Sequence, residues 1–196
     1  TYNVTVTNSA TTCSNTASAT VTSISCGACV TPVTTANAGS DQSICQSVGS
    51  ATLSGNVPSV GTGLWSIFTQ PTGAAASITT PTANNSTVTN LTVAGDYIFA
   101  WTISDPAGNC PPSVDYIKIT INPTPTATLT NDGPQCVGST VNLTATGGGT
   151  YTWGAGVTAG VGGAATVTTA GTYTVTVTSA AGCSTTATTI VSYNAL

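Results

Sequence analysis

The sequence predicts an all-β protein of tandem antiparallel β-sandwiches joined by short Pro-containing linkers. Three observations carry that expectation. Short segments alternate Val, Ile, Leu or Tyr with Thr, Ser or Asn, the period of a strand with one buried face. Gly, Pro and Asn punctuate the chain between those segments, as turn residues do in sandwiches. No segment keeps a helical period long enough for a helix of ordinary length.

In chain order the strand-like segments are YNVTVT (2–7), SATVTSI (18–24), SATLSG (50–55), STVTNLTV (86–93), YIFAWTIS (97–104), VDYIKITI (114–121), TVNLTAT (140–146), YTVTVTS (173–179) and TTATTIV (185–191). Thr and Val suit the pleated, half-buried surface of a sheet. Two Pro-containing joints, CVTPVTTANAG (29–39) and NPTPTATLT (122–130), divide the array. A residue before Pro is pushed into an extended backbone, so these stretches connect rather than pack. The expected organisation is a strand pair over 1–28, a linker over 29–35, one complete sandwich over 36–122 and a second over 123–196. Both complete units have the size of an immunoglobulin-like sandwich.

Only 3% of the 196 residues are charged, with one Lys (Lys118) and a formal net charge of −4. An ordinary domain carries about 25% charged residues. With no basic patch, phosphate-neutralising nucleic-acid binding and polybasic attraction to lipid are not expected. No apolar run is long enough to cross a membrane as a helix, so no membrane insertion is expected. Without His or Glu, no Ser-His-Asp or Cys-His arrangement can be built, and no enzymatic activity or cofactor is expected. Seven cysteines in so uncharged a chain fit an oxidising, extracellular compartment.

An internal repeat organises the cysteines. AGDYIFAWTISDPAGNC (94–110) and AGTYTVTVTSAAGC (170–183) share Ala-Gly-x-Tyr, an alternating strand, a turn and a Cys. TYNVTVTNSATTC (1–13) is a third copy without the first two residues. Upstream, Cys45 and Cys136 each precede a strand by a short turn. The parallel predicts Cys45–Cys110 and Cys136–Cys183, each an early cysteine tied to a late one within one sandwich. Cys13 holds the late position of the first copy, so its partner is expected before Thr1, leaving it unpaired within this chain. Residues 1–28 then read as the last strands of a preceding repeat, completed in a longer array or by strand addition from another molecule.

The motifs ANAGSDQSIC (36–45), SATLSGN (50–56), GTGLWSIF (61–68), ANNSTVTNLTVAGDYIFAWTISD (83–105) and VDYIKITI (114–121) closely resemble the PKD-like repeats of large Bacteroidetes surface proteins. PTPTATLTNDGPQCVGSTVNLTATGG and AGTYTVTVTSAAGCSTTATTIV resemble the immunoglobulin-like repeats beside them. The resemblance implies a PKD-like sandwich over 36–122, an immunoglobulin-like one over 123–196 and the tail of a further repeat over 1–28. It also implies long adhesins or filaments, gliding-motility adhesins among them, exported by the type IX route to the bacterial cell surface.

The remaining candidates are local. CGAC (26–29) has redox-motif spacing but stands before a Pro-containing linker, so Cys26–Cys29 is expected as a local disulfide, with an intermolecular link as the alternative. Asp105, Asn109 and Asp115 offer hard oxygens for Ca²⁺, against the simpler reading of DPAGN as a turn; no metal is expected. Trp65, Trp101 and Trp153 are expected in the core rather than on a glycan-binding platform, with Trp65 and Trp153 in equivalent slots. Tyr2, Tyr97 and Tyr173 recur at one position and predict corners in which the hydroxyl bonds nearby backbone. Asn3, Asn84, Asn85, Asn90 and Asn142 fit the glycan-acceptor pattern. The function expected is a structural segment of an extracellular filament or adhesin stalk. The alternatives are a glycan- or protein-binding module and a subunit polymerising by strand complementation. Its partners are then neighbouring repeats, copies of itself in a fibre, or surface glycans.

Overall fold

The computed structural model describes residues 2–7, 14–19 and 29–194. Strands β1 (Tyr2–Thr7) and β2 (Ser14–Ala19) pair antiparallel, from Tyr2↔Ala19 to Thr7↔Ser14. The strand expected over 18–24 falls largely outside the described residues, as do Cys13 and Cys26.

The first sandwich follows as β3 (Gln42–Cys45), β4 (Ala51–Ser54), β5 (Thr62–Thr69), β6 (Ser77–Ile78), β7 (Asn85–Thr89), β8 (Gly95–Ser104) and β9 (Ser113–Asn122). One sheet has the order β3-β9-β8-β5 and the other β4-β7-β6. Strands β8 and β9 form an antiparallel hairpin, and β3 joins β9 in parallel with Cys45 opposite Asn122. Alternation decides the core. Tyr97, Phe99, Trp101 and Ile103 of β8 and Ile117, Ile119 and Ile121 of β9 all point inward, onto Leu53 and Val88 of the facing sheet. Val33, in the segment read as linker, packs against the same core.

Two indoles fill its centre. Trp65 and Trp101 lie opposite one another in register, with ring centroids 4.9 Å apart and planes tilted by 38°. Each buried indole N–H has an acceptor: the Asn84 carbonyl at 3.0 Å for Trp65 and Asn56 Oδ1 at 3.2 Å for Trp101. Burying such a group without a partner would cost free energy, so these contacts let the core hold polar-tipped rings. Glycines make the room. A Cβ on Gly63 would stand 2.2 Å from the Trp101 ring, and one on Gly55 would stand 2.9 Å from it.

The second sandwich comprises β10 (Thr128–Asn131), β11 (Gln135–Cys136), β12 (Val141–Thr146), β13 (Thr150–Trp153), β14 (Thr158–Ala159), β15 (Ala164–Val167), β16 (Gly171–Thr178), β17 (Ser184–Val191) and β18 (Tyr193–Asn194). Its sheets run β10-β12-β15-β14 and β13-β16-β17, with β11 and β18 paired in parallel. Its core is built from smaller side chains, chiefly Val141, Leu143, Ala145, Ala165, Val167, Val175 and Val191 around Tyr173.

One plan underlies both sandwiches. The β8–β9 and β16–β17 hairpins correspond, and the Tyr97 and Tyr173 hydroxyls donate to the carbonyls of Val93 at 3.0 Å and Thr169 at 2.8 Å, each four residues back. Cys136 lies opposite Asn194 in parallel register, as Cys45 lies opposite Asn122. The Trp153 slot differs from the expectation. Tyr151 faces Val177, the counterpart of Trp101, so Tyr151 rather than Trp153 occupies the place of Trp65. Trp153, one inward step further along, faces Val175 and is half-buried against the core.

Gly63→Ala forces a methyl into the Trp101 ring, and overpacking of this kind costs about 1–3 kcal/mol. Equilibrium denaturant unfolding of the full chain should show that loss. A midpoint unchanged from the parent would contradict the packing of the indole on β5.

Candidate functional site

The features that set this chain apart lie at the poles of the sandwiches. Strands β8 and β9 have 10 residues each. At about 3.3 Å per residue, the β8–β9 turn stands roughly 30 Å from the pole where β9 ends. Cys110 is in that turn, whereas Cys45 sits beside Asn122 at the far pole. In the second sandwich Cys183 is in the β16–β17 turn, and Cys136 sits beside Asn194 at the far pole. The expected pairs Cys45–Cys110 and Cys136–Cys183 would each have to span a whole sandwich.

The structure pairs the cysteines differently. Cys45 bonds to Cys183, with Cα atoms 5.5 Å apart and a sequence separation of 138. Cys29 bonds to Cys110, with Cα atoms 4.7 Å apart. The early and late positions do correspond between sandwiches, but they occupy opposite poles. The early pole of one sandwich therefore meets the late pole of the next. Cys29 is committed to Cys110, which replaces the expected Cys26–Cys29 bridge. Cys136 is exposed and has no partner among the described residues.

Local hydrogen bonds hold each late cysteine in place. The Asp105 carboxylate accepts the backbone N–H groups of Ala107 and Asn109, both at 2.9 Å, and of Cys110 at 3.1 Å. These bonds, that from Ala107 foremost, hold its pKa below the ordinary carboxylate value. Ser179 has the same role in the second sandwich: its hydroxyl accepts the Cys183 N–H at 3.3 Å, and its own N–H donates to the Cys183 carbonyl at 2.8 Å. At the joint, Asn122 Nδ2 donates to Ser43 Oγ at 2.8 Å and to the Ile44 carbonyl at 3.3 Å, which fixes the end of β9 beside Cys45. The Pro-containing segment 123–127 then leads into β10.

The two carboxylates considered for Ca²⁺ both bond backbone N–H groups. Asp105 closes its turn, and Asp115 Oδ2 accepts the Ala38 N–H at 2.8 Å. Among the described residues no group of three or more acids, His or Cys converges as a metal site does. Trp65 and Trp101 are buried, so they form no glycan platform. Of the glycan-acceptor asparagines, Asn142 Nδ2 donates to Asp132 Oδ2 at 2.7 Å and Asn84 Nδ2 to the Gly55 carbonyl at 3.2 Å. Asn85 and Asn90 are exposed. A further surface was not anticipated. Leu64, Phe68, Val114 and Tyr116 leave an apolar strip on the outer face of the larger first sheet, with the Phe68 and Tyr116 rings edge-to-face at 4.9 Å.

No protein-family model and no curated protein matches the chain. Solved structures do. The PKD domain from the KIAA 1837 protein is 25% identical, over 45% of this chain and 85% of that one, with a TM-score of 0.38. The PKD domain (329–428) from human KIAA0319 is 17% identical, over 54% and 93%, with a TM-score of 0.41. The N-terminal eight Ig domains of Down Syndrome Cell Adhesion Molecule are 13% identical over 80% of this chain, with a TM-score of 0.53; the match spans 27% of that structure. The fold is that of tandem immunoglobulin-like β-sandwiches.

The lowered pKa of Asp105 sets a pH dependence. Its stabilisation is fully present above the unfolded value of about 3.9 and is lost as pH falls through the lower folded value. In thermal unfolding, Asp105→Asn should melt below the parent at pH 7, and the two should converge in acid. A gap that persists unchanged below pH 3 would contradict an ionic role for this carboxylate.

Proposed function

We propose that this chain is a non-catalytic structural segment of an extracellular bacterial filament or adhesin stalk. The Cys45–Cys183 bond carries the reading, because it fastens the pole of one sandwich to the pole of the next. Two domains joined only by a short linker hinge by default. A second covalent tether beside the linker removes most of that freedom, which a stalk requires and an isolated binding module does not. Cys29–Cys110 supports the reading from the other pole, where it ties the segment ahead of the first sandwich to the β8–β9 turn. Disulfides persist in oxidising surroundings, which favours the cell exterior. The resemblance of the repeats to Bacteroidetes surface proteins favours a bacterial surface and export by the type IX route.

The composition fits the same role. Lys118 is the only Lys or Arg, hence the only trypsin site. It lies on β9 between β3 and β8, with its backbone N–H bound to Asp41 Oδ1 at 2.8 Å. A protease must peel the local strand out of its sheet before cutting there. Native oxidised chain should therefore survive prolonged trypsin, and denatured, reduced chain should be cut once. Ready cleavage of the native chain at Lys118 would contradict the stalk reading.

A further inference from the structure

Strand register arranges the outward side chains of the larger first sheet in rows. Leu64, Thr102 and Val114 form one row, and Ser66, Ala100 and Tyr116 the next. Beyond them Ile98 lies opposite Lys118. Phe68 joins this face through a bulge. Ile67 pairs with Phe99 and Thr69 with Ile98, so Phe68 is the extra residue between them. Bulges re-aim side chains and gather at functional edges. The Phe68 ring reaches the Tyr116 ring, two strands away, while Ala100 on the strand between them is buried.

Leu64 is 48% exposed, Phe68 59%, Val114 43% and Tyr116 48%. At about 200 Å² for a large side chain, the four leave roughly 400 Å² of apolar surface in one strip. A strip of that size on a soluble domain marks an interaction site. The ions on this face, Lys118 and Asp96, sit in successive rows at one end, where the Asp96 carboxylate accepts the Thr120 hydroxyl at 2.7 Å. A charged partner therefore finds no matching field over the strip. A second copy does match it, apolar on apolar with hydroxyls around, and buries no unpaired charge. With the flanking Ser66, Ile98, Thr102 and Thr120 covered, such a contact reaches roughly 600 Å² per copy, the lower end of specific interfaces.

We propose that the β5–β8–β9 outer face is a side-to-side interface with a second copy of this chain. The Phe68–Tyr116 pair is its centre, and the two sheets meet face to face as the layers of a sandwich do. The same patch serves on both copies, so the contact is isologous and closes as a pair. Aromatic side chains at the centre of a desolvated patch carry most of the energy of such contacts. One pair of faces at this size holds weakly. Two chains lying side by side gain strength when the contact recurs along them. The contact needs only the folded first sandwich, so it stands apart from the stalk reading, in which it would bundle neighbouring stalks.

The test is sedimentation equilibrium of the full oxidised chain at concentrations up to about 1 mM, where weak complexes form. The parent should dimerise reversibly, and sodium chloride should change its dissociation constant little, because no ion pair holds the contact. Phe68→Ser combined with Tyr116→Ser should raise that constant at least tenfold. Tyr116→Phe should preserve it, and Ile190→Ser, which removes an exposed side chain from the second sandwich, should leave it unchanged. Thermal melts check that each variant is folded. If the double variant is not, Val114→Thr keeps a β-branched residue on the strand and should still weaken the dimer. A parent that stays monomeric throughout would overturn the proposal, whether or not it binds a cellulose column through Phe68. So would a dimer that survives in the folded double variant. None of these outcomes alters trypsin resistance, so failure here is separable from failure of the stalk reading.

Discussion

The bond between Cys45 and Cys183 is the constraint on which the behaviour of this chain depends. It closes a loop with a sequence separation of 138, which runs from β4 of the first sandwich to β16 of the second. In the loop-entropy account, such a closure removes about 5 kcal/mol of freedom from the unfolded chain. Its larger effect is directional. Tension entering ahead of the first sandwich runs along the backbone to Cys45, crosses to Cys183 and leaves along β17. Most strands lie off that path. The Cys29–Cys110 bond repeats the design at the entry pole.

The interiors of the two sandwiches are unequal, which gives the cross-link more to do in one than in the other. The first packs Trp65, Trp101, Tyr97 and Phe99 together, with both indole N–H groups satisfied. Large aromatic side chains bury much apolar area per residue ordered. The second relies mainly on Val, Leu and Ala around one buried Tyr, so its core contributes less. Cys183, buried at the joint, anchors the weaker sandwich to the stronger one.

Much of this was legible in the sequence. Period-two alternation located the long strands β8, β9, β12, β16 and β17 because each has one face in a core. The recurring Ala-Gly-x-Tyr motif exposed the tyrosine corners, because the hydroxyl reaches a carbonyl four residues back on the same chain. Strands β3, β5, β10, β11, β13 and β18 were not among the expected segments, and β5, eight residues long, is exposed along most of its length and so lacks a clear alternation. Strands β6, β14 and β15 stayed hidden as well. They are two to four residues long, and β15 lies in a Gly- and Ala-rich stretch, so partner strands define them rather than their own pattern. The disulfide pairing was misread for a comparable reason. Sequence parallels identify equivalent positions, but whether two positions share a pole depends on strand direction. Cys45 sits on a strand parallel to β9, beside its end, while Cys110 precedes its start. Likewise only the register across β13 and β16 reveals Tyr151, not Trp153, as the counterpart of Trp65.

The central claim is mechanical, so force is its most direct test. The full chain can be stretched by its two ends, first oxidised and then with a reductant present. While Cys45–Cys183 is intact, the 138-residue loop is withheld from extension. At about 3.5 Å per residue, that is roughly 480 Å of hidden contour. The oxidised chain should yield little extension at forces that unfold β-sandwiches, and reduction should release the hidden length. An oxidised chain that extends as far as the reduced one would contradict the account.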